Sequence, residues 1–224
     1  MQRTTLASTV AEFLREELLS GAFPPGTVLD DAELVERTGV PPAVVRAALG
    51  ELARDGLVVH SLHRGPEVLP IGRDEVRDVY AARRVYETAG LGALMRGRTV
   101  DVSWLCAAAE RMGEAAVAAD GRAAVEADIA FHLGLVAAAG SRRLTRAAQG
   151  ALMELRLILS VADRQAGDLP ALVADHEHLI AIIRSGDVSA AIAALEEHLA
   201  RSAAVVLAAA CDDARSTAAV PDER

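Results

Sequence analysis

The stretch that most constrains the fold is Asp175 to Arg201, DHEHLIAIIRSGDVSAAIAALEEHLAR, which reads as two helices turned back on each other. Leu179, Ile180, Ile182 and Ile183 before Gly186, and Ile192, Leu195 and Leu199 after it, keep the apolar spacing of an antiparallel helical hairpin. Gly186 suits the close of the first helix and Asp187 the cap of the second. His176 lies 11 residues before Asp187 and His198 lies 11 after it, so each sits roughly 16 Å from the turn at the helical rise per residue. Two imidazoles therefore come level inside one antiparallel pair. Upstream, Asp128 and His132 stand at i and i+4 and share a helical face.

The rest of the chain suits helices too. Its 224 residues allow one large or two small domains, and the apolar content of 52% is mostly Ala, Leu and Val with only 3% aromatics, which favours helix packing over sheets. The expectation is a mainly α protein. The longest apolar run, Ala203 to Cys211, is far short of the ~20 residues of a membrane span. Glu12, Glu16 and Glu17 near the N-terminus are unlike a signal peptide. A cytoplasmic protein with no membrane partner is expected, with Cys106 and Cys211 as small buried apolar residues rather than a bridge. The net charge of −9 argues against a general polyanion binder, and residues 1–70 hold six arginines, no lysine and ten carboxylates. Nucleic-acid binding would have to come from a local basic face.

Along the first part, Thr9 can cap a helix to about Leu19 with Val10, Phe13, Leu14 and Leu18 on one face. Pro24, Pro25 and Gly26 break it. Asp30 or Asp31 then starts a short helix that Gly39 ends, and Val40-Pro41-Pro42 opens another to about Asp55 with Val44, Val45, Ala48, Leu49 and Leu52 on its apolar side. Two short helices about a Gly-Val turn form a helix-turn-helix outline. LVVH and EVLP, flanking Leu62-His63-Arg64-Gly65, read as a small hairpin, a wing.

These segments, LLSGAFPPGTVL, DDAELVERTGV, VVRAALGELARDGLV and HRGPEV, taken in order across roughly residues 8 to 69, resemble the GntR family of bacterial transcription regulators. The resemblance implies a recognition helix from Ala43 to Asp55, Arg46 near the DNA, and Arg64-Gly65 as the tip of the wing. The chain departs from the family after the Gly-Val turn, where Pro41, Pro42 and Ala43 stand in place of hydroxyl and arginine side chains. Those three offer no side-chain hydrogen bond to base edges, and Pro42 also suits a first helical turn. Direct readout is left to Arg46, His63 and Arg64, with apolar contact to thymine methyls.

Pro70 to Arg73 reads as a linker, and Asp74 begins a long helix to about Arg96. Apolar-patterned segments follow near Val102–Ala119, Arg122–Ala139, Arg142–Asp163, Pro170–Arg184 and Val188–Ala210, punctuated by Gly97, Gly121, Gly140, Gly167 and Gly186. The second part is thus an all-α six-helix bundle. The whole divides into a winged helix-turn-helix at 1–70, a linker at 71–74, a helical domain at 75–211 and a flexible tail at 212–224. Arg83 with Glu87, the run DIAFHLGLVAAAGSRRL and the His176–His198 hairpin resemble the FCD effector-binding domain of the FadR subgroup. That resemblance implies a metal held by Asp128, His132, His176 and His198, and a small organic acid whose carboxylate meets Arg83. Tyr86 stands where the family usually has an aliphatic residue.

The donor chemistry agrees independently. Three imidazoles and a carboxylate converging in an apolar interior are costly to bury unpaired, and one divalent metal satisfies all four. Such a set suits Zn first, then Ni, Fe(II) or Mn, and leaves positions for a carboxylate ligand. Asp128 with His132 would alone suit a surface pair, and His176 alone a hydrogen-bonded core residue. His178 and His60 fall outside the set, as do Arg84, Arg156 and Arg164, which read as surface pairs. Gly90, Gly92 and Gly113 read as packing glycines. The function expected is a ligand-responsive transcription regulator, a repressor. It would act as a homodimer on a two-fold double-stranded operator, since one short winged helix buries too little DNA. A metal-dependent enzyme is the rival, because open metal positions can activate water. Glu177 should face away from the donors, so the expectation is not an enzyme. A sensor that has lost DNA binding is the third reading, from Pro41-Pro42 and the acidic N-terminal part.

Overall fold

In the computed structural model, which describes residues 5–97, 101–162 and 168–217, helix α1 spans Leu6–Leu19. It begins four residues ahead of the expected start because Thr5 is the cap, its Oγ1 accepting from Ser8 N at 3.1 Å. Thr9 lies inside the first turn with its hydroxyl on the Thr5 carbonyl at 3.3 Å. The buried face is Val10, Ala11, Leu14 and Leu18. Phe13, expected on that face, is 44% exposed, because its helical position lies more than a quarter turn from the centre of the stripe. Thr5→Ala should cost about 1 kcal/mol of stability, and Thr9→Ala a few tenths. Urea denaturation measures both, and a Thr9 loss equal to the Thr5 loss would contradict this capping assignment.

Asp30 caps α2 (Asp31–Thr38), its Oδ1 accepting from Ala32 N at 2.9 Å and Glu33 N at 3.1 Å, and Gly39 at φ 67° closes it. Helix α3 (Pro42–Arg54) starts from Pro41, which supplies no side-chain cap. Its inner face is Val45, Ala48, Leu49 and Leu52, with Val44 half-buried. Strands β1 (Val58–Ser61) and β2 (Gly65–Val68) pair antiparallel from Val58↔Val68 to Ser61↔Gly65, the expected wing. An unexpected bridge joins Val28 to Glu67 and ties the loop after α1 to the wing.

Helix α4 (Arg73–Met95) opens with Glu75 Oε2 accepting from Gly72 N at 2.9 Å, so Arg73 and Asp74 are helical rather than linker. Then follow α5 (Ser103–Ala118), α6 (Gly121–Ala137), α7 (Arg142–Ala162), α8 (Leu169–Ser185) and α9 (Val188–Thr217). The fold class expected from the sequence is the one found: a winged helix-turn-helix followed by six helices, with nine helices and one hairpin among the described residues. Helix α9 continues past Ala210 to Thr217, since nothing between Cys211 and Thr217 is a helix breaker and the next proline is Pro221. Arg164, Gly167, the Cys211 side chain and the tail beyond Thr217 lie outside the described residues.

Two apolar clusters organise the chain. One unites α1–α3 and the hairpin around Leu14, Leu34, Leu49 and Leu52, and the other fills the bundle around Leu105, Met112, Phe131, Leu135 and Leu195. Gly90 lets α4 meet α6, for a Cβ there would lie 1.9 Å from the Leu135 carbonyl oxygen. Gly113 meets nothing within 4 Å, so the packing reason expected for it does not hold. Cys106 is half-buried and accepts from Arg184 Nη2 at 3.0 Å. No helix among the described residues is long and apolar enough to cross a membrane.

Candidate metal centre and reading head

The α8–α9 turn has the geometry anticipated, with Gly186 at φ 80° and Asp187 Oδ1 accepting from Ala190 N at 2.9 Å. It brings His176 and His198 together with ring centroids 4.6 Å apart. Helix α6 adds Asp128 and His132 from one face, and all four side chains are buried. His132 Nε2 lies 3.3 Å from His176 Nε2 and 3.2 Å from His198 Nε2. Asp128 Oδ1 lies 3.0 Å from His176 Nε2 and 3.5 Å from His132 Nε2. Phe131 walls the cluster, edge-on to both His132 and His176.

What each ring does with its other nitrogen fixes the chemistry. His132 Nδ1 meets Glu87 Oε2 at 2.6 Å, His176 Nδ1 the Leu172 carbonyl at 2.8 Å, and His198 Nδ1 Asp175 Oδ2 at 2.6 Å. A carbonyl or carboxylate only accepts, so each Nδ1 carries a hydrogen and the Nε2 of each ring is the donor atom that faces inward. Three nitrogens and a carboxylate oxygen then face one point. Burial, with the neighbouring His132 and His176, pulls His198 down to about 3, so it is neutral. Asp128 is held well below its ordinary value, burial being outweighed by His132 and His176 beside it. His132 is pulled down by burial, but the Glu87 and Asp128 carboxylates outweigh that and leave it above its ordinary value. Something positive belongs at the centre: a proton would serve one or two of the four donors, and a metal ion serves them all. His132, His176 and His198 each offer a ligand atom within 4.8 Å of the others.

Arg83 sits one helix away and is 2% exposed. Its Nε donates to Glu87 Oε1 at 2.8 Å, its Cζ lies 4.9 Å from the Tyr80 ring centroid, and its buried Nη2 has no partner among the described residues. Glu87 therefore bridges Arg83 and His132; burial pushes its carboxyl up, but Arg83 and His132 beside it outweigh that and leave it below its ordinary value. Tyr80 Oη pairs with Ser202 Oγ at 2.6 Å and ties α4 to α9. Tyr86 is only half-buried, so the tyrosine against Arg83 is Tyr80.

Reading the sequence alone did not give Glu87 or Asp175 their partners. The available signals were an acid four residues after Arg83 and an acid directly before His176. Glu177, His178, His60 and Arg84 are exposed, as expected, and Arg156 pairs with Glu126.

On the winged helix, Pro41, Pro42, Ala43 and Arg46 are exposed at the start of α3, and Leu62, His63 and Arg64 at the wing turn, with Leu62 97% exposed. Arg46 Nη1 is 3.0 Å from Asp31 Oδ2, and Arg64 Nη2 is 2.9 Å from Glu67 Oε2. Both arginines expected at DNA thus rest on carboxylates, Arg46 in an exposed pair worth little and Arg64 over the buried Glu67.

A winged helix-turn-helix joined to a six-helix bundle is the architecture of a DNA-binding regulator with a second, helical domain. Residues 6–68 match the bacterial regulatory proteins of the gntR family and residues 78–201 match the FCD domain. The chain belongs to the GntR family of DNA-binding transcription regulators, with an FCD domain. It is 27% identical over 202 residues to the "Probable D-xylose utilization operon transcriptional repressor" of Paenarthrobacter nicotinovorans, covering 89% of this chain and 88% of that protein. A solved GntR transcriptional regulator from Rhodococcus sp. RHA1 superimposes with a TM-score of 0.77 at 28% identity, over 90% of this chain and 97% of the other. E. coli McbR/YncC shares the fold, with a TM-score of 0.74 at 18% identity over 91% and 98% of the two chains.

Proposed function

We propose that this regulator is a metal-dependent repressor that releases its operator on binding a small carboxylic acid. Residues 1–70 would serve as the reading head and 75–211 as the sensor. The carrying observation is the convergence of three inward Nε2 lone pairs and Asp128 Oδ1, every Nδ1 being held by an acceptor. Outer-shell acceptors of this kind are what orient metal-binding histidines. A tetrahedral ion with bonds of about 2.05 Å separates its ligand atoms by about 3.3 Å, and the Nε2 pairs lie 3.2 and 3.3 Å apart. Asp128, His132, His176 and His198 would hold the ion, zinc first among Zn, Ni, Fe(II) and Mn for a three-nitrogen, one-oxygen set. Bound there, it would supply a Lewis-acid position for a carboxylate oxygen.

Arg83 would orient that acid. Its Nε is spent on Glu87, and its buried Nη2 lacks an acceptor, a costly state that a carboxylate oxygen relieves. The repressor sense is supported by the repressor relative of Paenarthrobacter nicotinovorans. A homodimer in the cytoplasm, on a two-fold double-stranded operator, is part of the reading, because one winged helix buries too little DNA for tight specific binding. Fluorescence anisotropy of an operator selected from a random duplex pool, titrated with a panel of small carboxylic acids before and after chelation of metal, tests the reading. Release by at least one acid with metal and none without is expected. Acid-driven release that ignores chelation would refute the metal-dependent part.

Arg46, His63 and Arg64 would make the polar contacts to DNA. Arg46→Ala should lose about 1–3 kcal/mol of operator binding, measured by the same anisotropy. Unchanged affinity would favour a sensor that has given up reading DNA, which the pairing of Arg46 with Asp31 and the prolines at the start of α3 would then explain.

A further inference from the structure

Helix α7 belongs to two cores at once. Leu152, Leu155 and Ile158 lie in the apolar cluster of the bundle, whereas Leu157, 0% exposed, lies in the cluster of the winged helix, with Met153 packed against it. Leu155 and Leu157 are two positions apart and so point to opposite sides of the helix. Glu154 joins the winged-helix side. It covers Gly56, the left-handed residue between α3 and β1, so closely that a Cβ there would lie 2.5 Å from its Oε1. Gly56 sits at the joint that sets the recognition helix against the wing. Along its other side α7 packs on α6, the helix of Asp128 and His132.

We infer that α7 is a structural member of the reading head as well as of the bundle, and that Leu157, Met153 and Glu154 position the α3–β1 joint and carry changes in the bundle to it. The alternative route is the short chain segment before α4, with Ile71 packed between the clusters, and the exposed Arg122–Glu16 pair. An exposed ion pair contributes little. A leucine with no exposed surface, seated in the other domain's core, couples the two sides because close-packed interiors pass on displacement rather than absorb it. The ligand arm of this inference rests on the metal reading above; the packing arm does not.

Amide hydrogen exchange of the full chain, read by mass spectrometry with and without Zn2+, tests it. With Zn2+ at about 100 times its Kd, segments that open only together with the metal-binding bundle exchange about 100-fold more slowly. In the wild type this slowing is expected in α1 and around the α3–β1 joint as well as in α8 and α9. Leu157→Ala is expected to keep the slowing in α8 and α9 and lose it in residues 6–68. Leu34→Ala, the same deletion on α2, is expected to keep both, which separates coupling from mere loosening of the head. A wild-type head indifferent to Zn2+ while the bundle slows, or a Leu157→Ala head that still slows like the wild type, overturns the inference. Should Zn2+ slow nothing anywhere, the metal reading falls and the metal-free comparison decides. Leu155→Ala, on the bundle face of α7, is expected to speed exchange in α1 and α3 as well as in the bundle, and acceleration confined to the bundle overturns the inference.

Discussion

His176→Ala and His198→Ala should each leave the protein without its metal and without a response to acid, while operator binding in the absence of acid persists. Each removes one of three nitrogen donors from a cluster in which the remaining lone pairs are already fixed in place by Leu172, Asp175 and Glu87. Two nitrogens and one carboxylate remain, one protein donor fewer than the four that converge here, and water must take the vacated position. The reading head has a core of its own, built on Leu14, Leu34, Leu49 and Leu52. Metal analysis by plasma mass spectrometry, run beside operator anisotropy, reads both halves. A histidine variant that keeps full metal and full acid response would remove that residue from the ligand set. Arg83→Ala, in contrast, should retain metal and lose its response to the acid, at a cost in stability because Glu87 then stays buried without its guanidinium.

Glu87→Ala should be the most damaging single change to stability. It strips the carboxylate from a guanidinium that is 2% exposed, and breaking a buried pair from one side costs about 3–5 kcal/mol because the surviving charge stays buried and uncompensated. The same deletion frees His132 Nδ1, whose hydrogen Glu87 accepts at 2.6 Å. Loss of such an outer partner lowers metal affinity about 10–100-fold. Urea denaturation of the metal-free protein and a metal titration of the folded protein separate the two effects. Wild-type stability in Glu87→Ala would mean that Arg83 has another partner. Glu87→Gln, which keeps the shape and one acceptor oxygen, should lie between the two.

Much of this centre was legible because helices impose geometry on spacing. Gly186 and Asp187 fix a turn, equal distances to His176 and His198 then level the two rings, and Asp128 with His132 share a face by their spacing alone. Periodicity gives which face of a helix is apolar and says nothing of what covers it. That is why Leu157 reads as an ordinary bundle residue in the sequence and sits in the winged-helix core in the structure. The outer partners of the histidines were hidden for a related reason: Glu87 and Asp175 act through the inter-helix gap, and a lone acid on a helix has no pattern that distinguishes an imidazole partner from solvent. At the N-terminus two hydroxyls competed for the role of cap, Thr5 and Thr9, and only the backbone of Ser8, donating to Thr5, decides between them. The wing and the two helices before it were readable from their punctuation, Asp30, Gly39, Gly56 and Gly65, because left-handed glycines and capping aspartates mark boundaries irrespective of tertiary contacts.

If the four converging donors hold a divalent ion, metal content per chain must show it. The protein is purified without an affinity metal, dialysed against metal-free buffer, analysed by plasma mass spectrometry, and then titrated with Zn2+ while its melting temperature is followed. The predicted result is close to one divalent ion per chain, or a saturable rise in melting temperature that reaches its plateau at one equivalent of Zn2+. No bound metal and an unchanged melting temperature would contradict the claim and leave His132, His176 and His198 as core residues sharing a proton.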